Sequence, residues 1–310
     1  MPDVVLRMGT RGSPLALAQA RESGARLCTA HGWAADAVAI VPIRTTGDAI
    51  QDRALSEAGG KGLFTKELDV ALADGAIDVA VHSAKDLPTV MPDGIAIVGY
   101  LPREDVRDVL IARHGASLAE LPHGAHVGSA SLRRQAQLRR VRPDLRVSLL
   151  RGNVQTRLGK VENGQFDATL LALAGLKRLG LAHLATAILD TDDFLPAVGQ
   201  GAIALAMRAG DPLLGIVTAI LDADTGTALA CERAFLTELD GSCRTPIAGH
   251  ARLEDRHLEF RGLVLSPDGA DAIECYASAP AADAERLGRD AAHDLLARAP
   301  ADILAPFRML

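Results

Sequence analysis

The sequence predicts two α/β units followed by a smaller α+β unit. Short apolar runs alternate with helical patterns through the first two thirds of the 310 residues, as they do in α/β proteins. The last third places a strong helix before two segments that alternate like antiparallel strands, and a final helix follows. We expect a discontinuous first domain at 1–101 and 200–221, a second domain at 102–199 and a third at 222–310.

The first unit carries clear boundary signals. Ser13 and Pro14 suit the N-cap and the first position of a helix, and Gly75 suits the end of another. These signals and the apolar runs predict strands at 4–8, 38–43 and 78–81, a helix that begins after Ser13, and a helix at 64–73.

The other two units follow from the same patterns. For the second unit we predict strands at 109–112, 126–128, 146–150 and 168–173 and helices at 132–140 and 154–162, and the strand pattern returns at 202–207. For the third we predict helices at 227–239 and 282–297, with strands at 252–265 and 271–278 around the turn residues Pro267, Asp268 and Gly269.

The composition excludes several classes of protein. Hydrophobic residues make up 48% of the chain and the mean hydropathy is +0.14, which excludes a mainly disordered chain. No apolar run reaches the ~20 residues of a membrane-spanning helix, and the N-terminal residues show no secretory signal. The four cysteines form no CxxC pair and the nine histidines are scattered. We therefore expect a reduced, cytoplasmic protein with no metal site.

Positive charge is concentrated in one segment, although the net charge of the chain is −6. Between Arg133 and Arg178 there are eleven basic and three acidic residues, and nine of the eleven are arginines. This pattern predicts an anionic partner, and arginine favours forked binding of carboxylate or phosphate. Nucleic acid is a weaker candidate, because stacking of single strands needs aromatic side chains and this segment has only Phe166.

Polar residues follow the predicted strands, where open α/β sheets usually bind ligands. Arg11 lies beside a predicted helix start, whose free N–H groups favour anions, although an ordinary capped turn explains the same residues. Lys85 and Asp86 follow the strand at 78–81. Asp86 is a candidate for proton transfer or for stabilising a cation, and a solvated Lys–Asp turn is the alternative.

Three successive strand ends in the second unit each deliver arginine or lysine. A mere solvated surface explains this repetition poorly, so we predict that the residues converge on one anion site. They are Ser129, Ser131, Arg133 and Arg134 after the first strand, Arg151 and Arg157 after the second, and Lys177 and Arg178 after the third.

Cys243 differs from the other cysteines. Cys28, Cys231 and Cys275 lie on apolar faces and are expected in the core. Cys243 lies in a Gly/Ser/Pro loop beside Arg244, where the neighbouring cation favours the reactive thiolate, although an inert loop cysteine is the alternative. The glycine-rich segment 59–64 lacks the spacing of a phosphate loop, and we interpret it as a flexible, basic lid.

Taken together, these motifs resemble the hydroxymethylbilane synthase (porphobilinogen deaminase) family. The resemblance covers nearly the whole chain, and the matching strings occur in the family's order. They are TRGSPLALAQ, GGKGLFTKEL, VHSAKDLP, GSASLRRQAQL, RGNVQTRL, AGLKRLG, PAVGQGA and GSCRTPIAGH.

The resemblance implies a fold, an activity and a cofactor. The first two domains would resemble the lobes of type II periplasmic binding proteins, with a third α+β domain. The activity would be that of a transferase, which deaminates four porphobilinogen molecules, joins them head to tail and releases hydroxymethylbilane and ammonia. The cofactor would be a dipyrromethane held by a thioether at the position of Cys243, and Asp86 matches the catalytic carboxylate.

The matching motifs also imply roles for other residues. Those expected to hold the cofactor are Lys85, Ser129, Ser131, Arg133, Arg134 and Arg157. Those expected to hold the incoming or growing pyrroles are Arg11, Ser13, Gln19, Phe64, Arg151, Arg178 and Gln200. Some relatives carry a lysine four residues before the one matching Lys61, whereas this chain has Glu57, so we assign no mobile-loop substrate role there.

A second hypothesis is a non-catalytic, two-lobed protein that binds small carboxylate anions. Two α/β units and an arginine-rich cleft permit it, but the Cys243 loop would have no purpose there. The resemblance suggests a monomer with porphobilinogen and the growing polypyrrole as its partners, and with no nucleic acid or membrane partner.

Overall fold

The structure is a computed structural model that describes residues 4–49, 64–239 and 245–300. Its strands are β1 (Leu6–Arg11), β2 (Val38–Ile43), β3 (Val79–Ser83), β4 (Ile95–Tyr100), β5 (Asp108–Ala112), β6 (His126–Gly128), β7 (Arg146–Ser148), β8 (Ala168–Ala172), β9 (Ala187–Ile188), β10 (Ile203–Arg208), β11 (Ile247–Glu254), β12 (His257–Leu265) and β13 (Ala272–Pro280). Its helices are α1 (Pro14–His31), α2 (Thr46–Ala49), α3 (Lys66–Ala73), α4 (Leu132–Val141), α5 (Val154–Glu162), α6 (Leu173–Arg178), α7 (Leu214–Val217), α8 (Ala223–Glu238) and α9 (Ala284–Arg298).

The first lobe is a five-stranded sheet in the order β2-β1-β3-β10-β4. β1 pairs in parallel with β2 and β3, whereas β10 runs antiparallel to β3 and β4. Helix α1 begins at Ser13, whose side chain accepts a hydrogen bond from the Ala16 N–H at 3.3 Å. Leu27 of α1 packs in one core cluster with Leu6 and Met8 of β1, and this fixes the helix on the sheet.

The second lobe repeats this arrangement with the order β7-β6-β8-β5-β9. β6 pairs in parallel with β7 and β8, and β5 runs antiparallel to β8 and β9. The chain leaves the first sheet after β4 and returns to it as β10, so two crossover segments, 101–107 and 189–202, connect the lobes. The predicted pair of α/β units is confirmed, while their exact limits stay a prediction.

The C-terminal unit is the antiparallel sheet β11-β12-β13, with α8 and α9 packed against it. The Phe235 and Phe260 rings lie 4.9 Å apart in its core, next to the buried thiols of Cys231 and Cys275. Cys28 is buried in the first lobe, so the core positions predicted for these three cysteines are confirmed.

The predicted single strand at 252–265 is wrong. β11 and β12 form a hairpin that turns at Asp255 and Arg256, with φ angles of 48° and 63°. Such turns are usually marked in a sequence by Asn or Gly, which tolerate positive φ. Neither residue is present here, and the alternating pattern therefore continues through the turn unmarked.

Two smaller differences concern element ends. β1 runs on to Arg11, beyond the predicted end at residue 8, because Thr10 is fully buried and its hydroxyl donates to the Ala16 carbonyl at 3.1 Å. The strand predicted at 168–173 stops at Ala172, since Leu173 already begins the unpredicted helix α6. Strand β4 was also not predicted.

The carboxylate of Glu232 in α8 joins the C-terminal unit to both crossovers. Arg103, in the outward crossover, donates two hydrogen bonds to it at 2.6 and 3.0 Å. The same carboxylate accepts from the backbone N–H groups of Gly199, in the returning crossover, and Ala251, in β11, at 2.7 and 2.9 Å. Glu232 is fully buried, and its charge is satisfied from the two crossovers and the C-terminal sheet.

Candidate active site

A cavity of about 1060 Å³ lies between the two lobes and reaches the C-terminal unit. Both lobes contribute cationic side chains to its lining, together with hydroxyl and amide groups. The sequence-predicted site residues that line it are Arg11, Ser13, Phe64, Lys85, Asp86, Ser131, Arg133, Arg134, Arg151, Arg157 and Gln200.

Arg11 ends β1 at the wall of the first lobe. Its guanidinium lies 3.9 Å from the Asp86 carboxylate and 4.1 Å from the centre of the Phe64 ring. The contact with the ring is a cation–π arrangement. The side chain of Asp86 is 38% exposed. A carboxylate thus stands in the open cavity, with the Arg11 guanidinium at the edge of ion-pair distance.

Lys85 precedes Asp86 in a one-turn 3-10 helix that follows β3. Its ammonium donates to the Gln200 side-chain oxygen at 3.1 Å. Burial, and secondly the charge of Arg134, lower the pKa of Lys85 to about 8. Gln200 in turn donates to the Asp108 carboxylate at 2.7 Å, so one amide connects Lys85 to the second lobe.

Ser131, Arg133 and Arg134 are brought to the cavity by the start of α4. Ser131 is the N-cap, and its hydroxyl accepts from the Arg134 N–H at 3.4 Å. Arg133 and Arg134 each donate to Asp108 at 2.7 Å, and each also donates to a backbone carbonyl, of Leu195 or Leu170.

The Asp108 carboxylate is fully buried beneath these two arginines. Burial alone would raise the pKa of Asp108, but the charges of Arg133 and Arg134 hold it well below its usual range. The Nε atoms of both arginines are buried and have no hydrogen-bond partner in the described part of the chain. These N–H donors remain for an acceptor that enters the cavity.

Arg151 and Arg157 come from the turn into α5 and from its second turn. Asn153 begins this helix by accepting from the Thr156 N–H at 2.9 Å. Gly152 has a φ of +117°, and a Cβ there would lie 2.6 Å from the Thr156 side chain, so the turn requires glycine. Arg157 donates to the Gly152 carbonyl at 2.9 Å, and burial, with Arg134 second, lowers its pKa to about 10.

Three predicted site residues do not line the cavity. Gln19 and Ser83 exchange hydrogen bonds at 2.9 and 3.1 Å. Ser129 is buried, and its hydroxyl accepts from the Ser131 N–H at 3.2 Å. Arg178 pairs with Glu22 at 3.0 Å. Cys243 and most of the predicted lid, 59–63, lie outside the described residues.

Sequence reasoning missed two residues of this site. Asp108 begins β5 and holds both arginines of α4, but a lone aspartate after Arg107 carries no local signal of such a partner. Arg44 lines the cavity and is exposed. It directly follows β2, and the same strand-end argument that selected Arg11 would have selected it.

Two further observations concern the described residues only. None of their histidine, cysteine, aspartate and glutamate side chains forms a group of three that could hold a metal ion. No single helix among them is long and apolar enough to cross a bilayer, although the sharply bent pair Leu214–Ile220 and Ala223–Glu238 meets the length and composition criteria together.

The fold and the cavity define a class of protein, namely one with two α/β lobes and a cleft to which both lobes contribute cationic side chains. Comparison with known proteins is more specific. A family model described as "Porphobilinogen deaminase, dipyromethane cofactor binding domain" matches residues 6–215. A second model, "Porphobilinogen deaminase, C-terminal domain", matches residues 227–297. The chain therefore belongs to the porphobilinogen deaminase family.

Curated relatives agree with this assignment over almost their full length. The chain is 58% identical over 298 residues to the porphobilinogen deaminase of Nitrobacter winogradskyi, with 96% of this chain and 94% of the relative covered. It is 54% identical over 302 residues to that of Paracoccus denitrificans, with 97% and 96% covered.

Solved structures of periplasmic proteins align less closely. A periplasmic substrate-binding protein of an ABC transporter from Coxiella burnetii has a TM-score of 0.44 and 16% identity, with 74% of this chain and 96% of that chain covered. A putative methionine-binding lipoprotein from Bacillus subtilis has a TM-score of 0.42 and 13% identity, with 69% and 89% covered.

Proposed function

We propose that this chain deaminates four porphobilinogen molecules, joins them head to tail and releases hydroxymethylbilane with ammonia. The observation that carries the proposal is the open Asp86 carboxylate, in a cavity whose other charged lining residues in the described part of the chain are all cationic, in a chain of this family. Each substrate brings two carboxylates, so anionic charge accumulates as the chain grows. Arginines from both lobes suit that charge.

The cavity also fits a dipyrromethane cofactor, and we propose Cys243 as its thioether attachment point. The buried, unpartnered Nε atoms of Arg133 and Arg134 support this fit, because they need acceptors such as cofactor carboxylates. We assign Lys85, Ser131 and Arg157 to the same acid groups, and Ser129 to the support of Ser131. When bound, the dipyrromethane supplies the pyrrole carbon to which the first substrate is joined.

The remaining lining residues are proposed to hold the substrate. Arg11 and Arg151 offer guanidinium groups to its carboxylates, and Ser13 and Gln200 offer hydrogen bonds. Phe64 lies against the Arg11 guanidinium and limits its orientation. Gln19 acts indirectly, because it holds Ser83 two residues before Lys85.

Asp86 is proposed as the catalytic residue. Positive charge develops on the pyrrole as the carbon–nitrogen bond breaks and ammonia leaves. The Asp86 carboxylate faces this charge and stabilises it, and it accepts the proton released when two rings join.

A transferase accounts for more of the chain than an anion-binding protein does, because family membership covers the cofactor-binding domain. We further propose that the chain works in the cytoplasm as a monomer, with no nucleic acid or membrane partner. Support comes from its acidic net charge and from the three free, buried cysteines of the described ranges.

The test is turnover of porphobilinogen by the purified chain, with ammonia and linear tetrapyrrole measured together. We expect four ammonia molecules per product. Asp86→Asn is expected to lower turnover by at least about 100-fold, since charge stabilisation and proton transfer are both lost. Asp93→Asn, at an exposed position seven residues away, is the matched control. Full activity of Asp86→Asn would refute the assigned role, and binding of the substrate without ammonia release would refute the function.

A further inference from the structure

Arg178 connects the second lobe to two parts of the first. It ends α6, and its Nε donates to the Glu22 carboxylate of α1 at 3.0 Å. Its Nη2 donates to the carbonyl of Gly201, just before β10, at 3.1 Å. The Arg178 side chain is only 9% exposed, so solvent screens this ion pair less than a surface pair.

The pair lies where the two crossovers approach each other. The Gly201 carbonyl that accepts from Arg178 also accepts from the Glu104 N–H at 3.3 Å. Gly201 has a φ of +89°, and a Cβ there would lie 2.3 Å from the Glu104 carbonyl oxygen. Any rotation of one lobe against the other changes the geometry at this point, because both connecting segments pass through it.

Helices α1 and α6, which Glu22 and Arg178 connect, form part of the cavity wall. Leu15 of α1 and Gly175 of α6 both line the cavity, and the Leu15 side chain lies 3.4 Å from the position that a Gly175 Cβ would occupy. Glu22 and Arg178 therefore join these helices behind the cavity, at a distance from its lining. The spacing of α1 and α6 and the width of the cavity change together.

We propose that Glu22 and Arg178 form an interlobe strut that sets the width of the cavity. Arg178 then acts on the reaction as a positioning residue, through Glu22 and Gly201, and does not itself bind a substrate carboxylate. The inference rests on the proposed function, because it concerns how the cavity accommodates a lengthening anionic chain. The strut itself is a feature of the lobes and is testable without substrate.

The first test compares Glu22→Gln, Arg178→Gln and the double variant. Both single variants are expected to lower kcat by about tenfold with KM within about twofold, and the double variant to be no worse than Arg178→Gln. Intact-mass spectra recorded during turnover should show the same change in the proportions of enzyme-bound intermediates for the two single variants. Arg26→Gln is the matched control, since Arg26 contacts Glu22 within α1 at 3.2 Å and does not reach the second lobe. It should behave like the unmodified chain.

A charge exchange separates the strut from direct substrate binding. Glu22→Arg combined with Arg178→Glu is expected to raise kcat at least about threefold above that of Arg178→Gln, because the ion pair is rebuilt with reversed sign while the bond to the Gly201 carbonyl is not. A glutamate at 178 would repel an anionic substrate, so rescue is incompatible with a substrate ligand there. The proposal would be overturned if Glu22→Gln kept the kcat and KM of the unmodified chain while Arg178→Gln raised KM. If the exchanged pair does not fold, additive losses in the double Gln variant would overturn it equally.

A second readout needs no turnover. The unfolding midpoint in urea is expected to fall similarly in Glu22→Gln and Arg178→Gln, and no further in the double variant. Additive midpoint shifts would contradict the strut. If the unmodified chain shows no turnover while these midpoints are coupled, the proposed function fails and the strut stands.

Discussion

Asp108 and Arg134 form an ion pair of 2.7 Å that is almost completely shielded from water behind the cavity. Arg133 binds the other oxygen of the same carboxylate at the same distance. One aspartate therefore orients two arginines while its single negative charge leaves a net positive charge. That surplus charge is available to an anion in the cavity, which connects a buried contact in the second lobe to the chemistry of the cleft.

Replacing Asp108 by Asn should destabilise the chain by about 3 kcal/mol or more, because two buried guanidinium groups lose their counter-ion. Urea unfolding monitored by circular dichroism measures this change. Asp167→Asn is a weaker perturbation, since Asp167 accepts one backbone N–H from His126. Unchanged stability in Asp108→Asn would mean that the two arginines do not depend on this carboxylate.

The pKa of about 8 at Lys85 predicts a loss of activity on the alkaline side. The ammonium is present below that pKa and is lost as the pH rises through it, and with it goes one cation for the bound acid groups. Lys85→Arg keeps the charge and should move the alkaline limb of the kcat/KM profile to higher pH. Identical profiles for the two proteins would assign that limb to another group.

Arg44 should contribute to substrate capture. It directly follows β2 and is exposed at the cavity, where an incoming anion can reach it. Arg44→Gln is expected to raise KM by about threefold to tenfold with little change in kcat, as loss of a partly screened charge contact would. Arg252→Gln, an exposed arginine on β11, is the matched control. An unchanged KM would remove Arg44 from the binding surface.

Glu232 should be the most stability-sensitive carboxylate of α8. Glu232→Gln is expected to lower the free energy of unfolding by about 3–5 kcal/mol, because Arg103 loses its buried partner where the C-terminal unit joins the crossovers. Glu238 lies in the same helix and pairs with the exposed His293. Glu238→Gln should therefore lower the free energy of unfolding by less than about 1 kcal/mol. If Glu232→Gln and Glu238→Gln lowered stability equally in thermal or urea unfolding, the contacts of Glu232 would not stabilise the chain more than an exposed pair does.

The sequence was sufficient where a local pattern determines the structure. The cap at Ser13 was readable, and so were the helices that begin after residues 131 and 153 and the sequence of strands that ends in cationic residues. The turn at Asp255 and Arg256 was not, because its positive φ angles are imposed by hairpin pairing rather than by residue type. Asp108 was not recognisable as a site residue, because its two partners lie 25 and 26 positions away along the chain.

The ion pair of Arg178 shows a similar limit. Arg178 occurs in a basic run, and its sequence context groups it with the arginines predicted to bind anions. Its ion-pair partner Glu22 is 156 positions away and is contributed by the other lobe. Contacts of this range depend on how two separately folded sheets meet, and no window of sequence contains that information.

The most direct test of the central claim is the mass of the Cys243 peptide before and after incubation with porphobilinogen. The account predicts a covalent dipyrrole on this peptide, either present on isolation or gained on incubation, and no such mass in Cys243→Ser. The buried Cys231 and Cys275 are internal controls and should stay unmodified. An unmodified Cys243 peptide after incubation, in a chain that still binds porphobilinogen reversibly, would contradict the transferase and favour a two-lobed anion-binding protein.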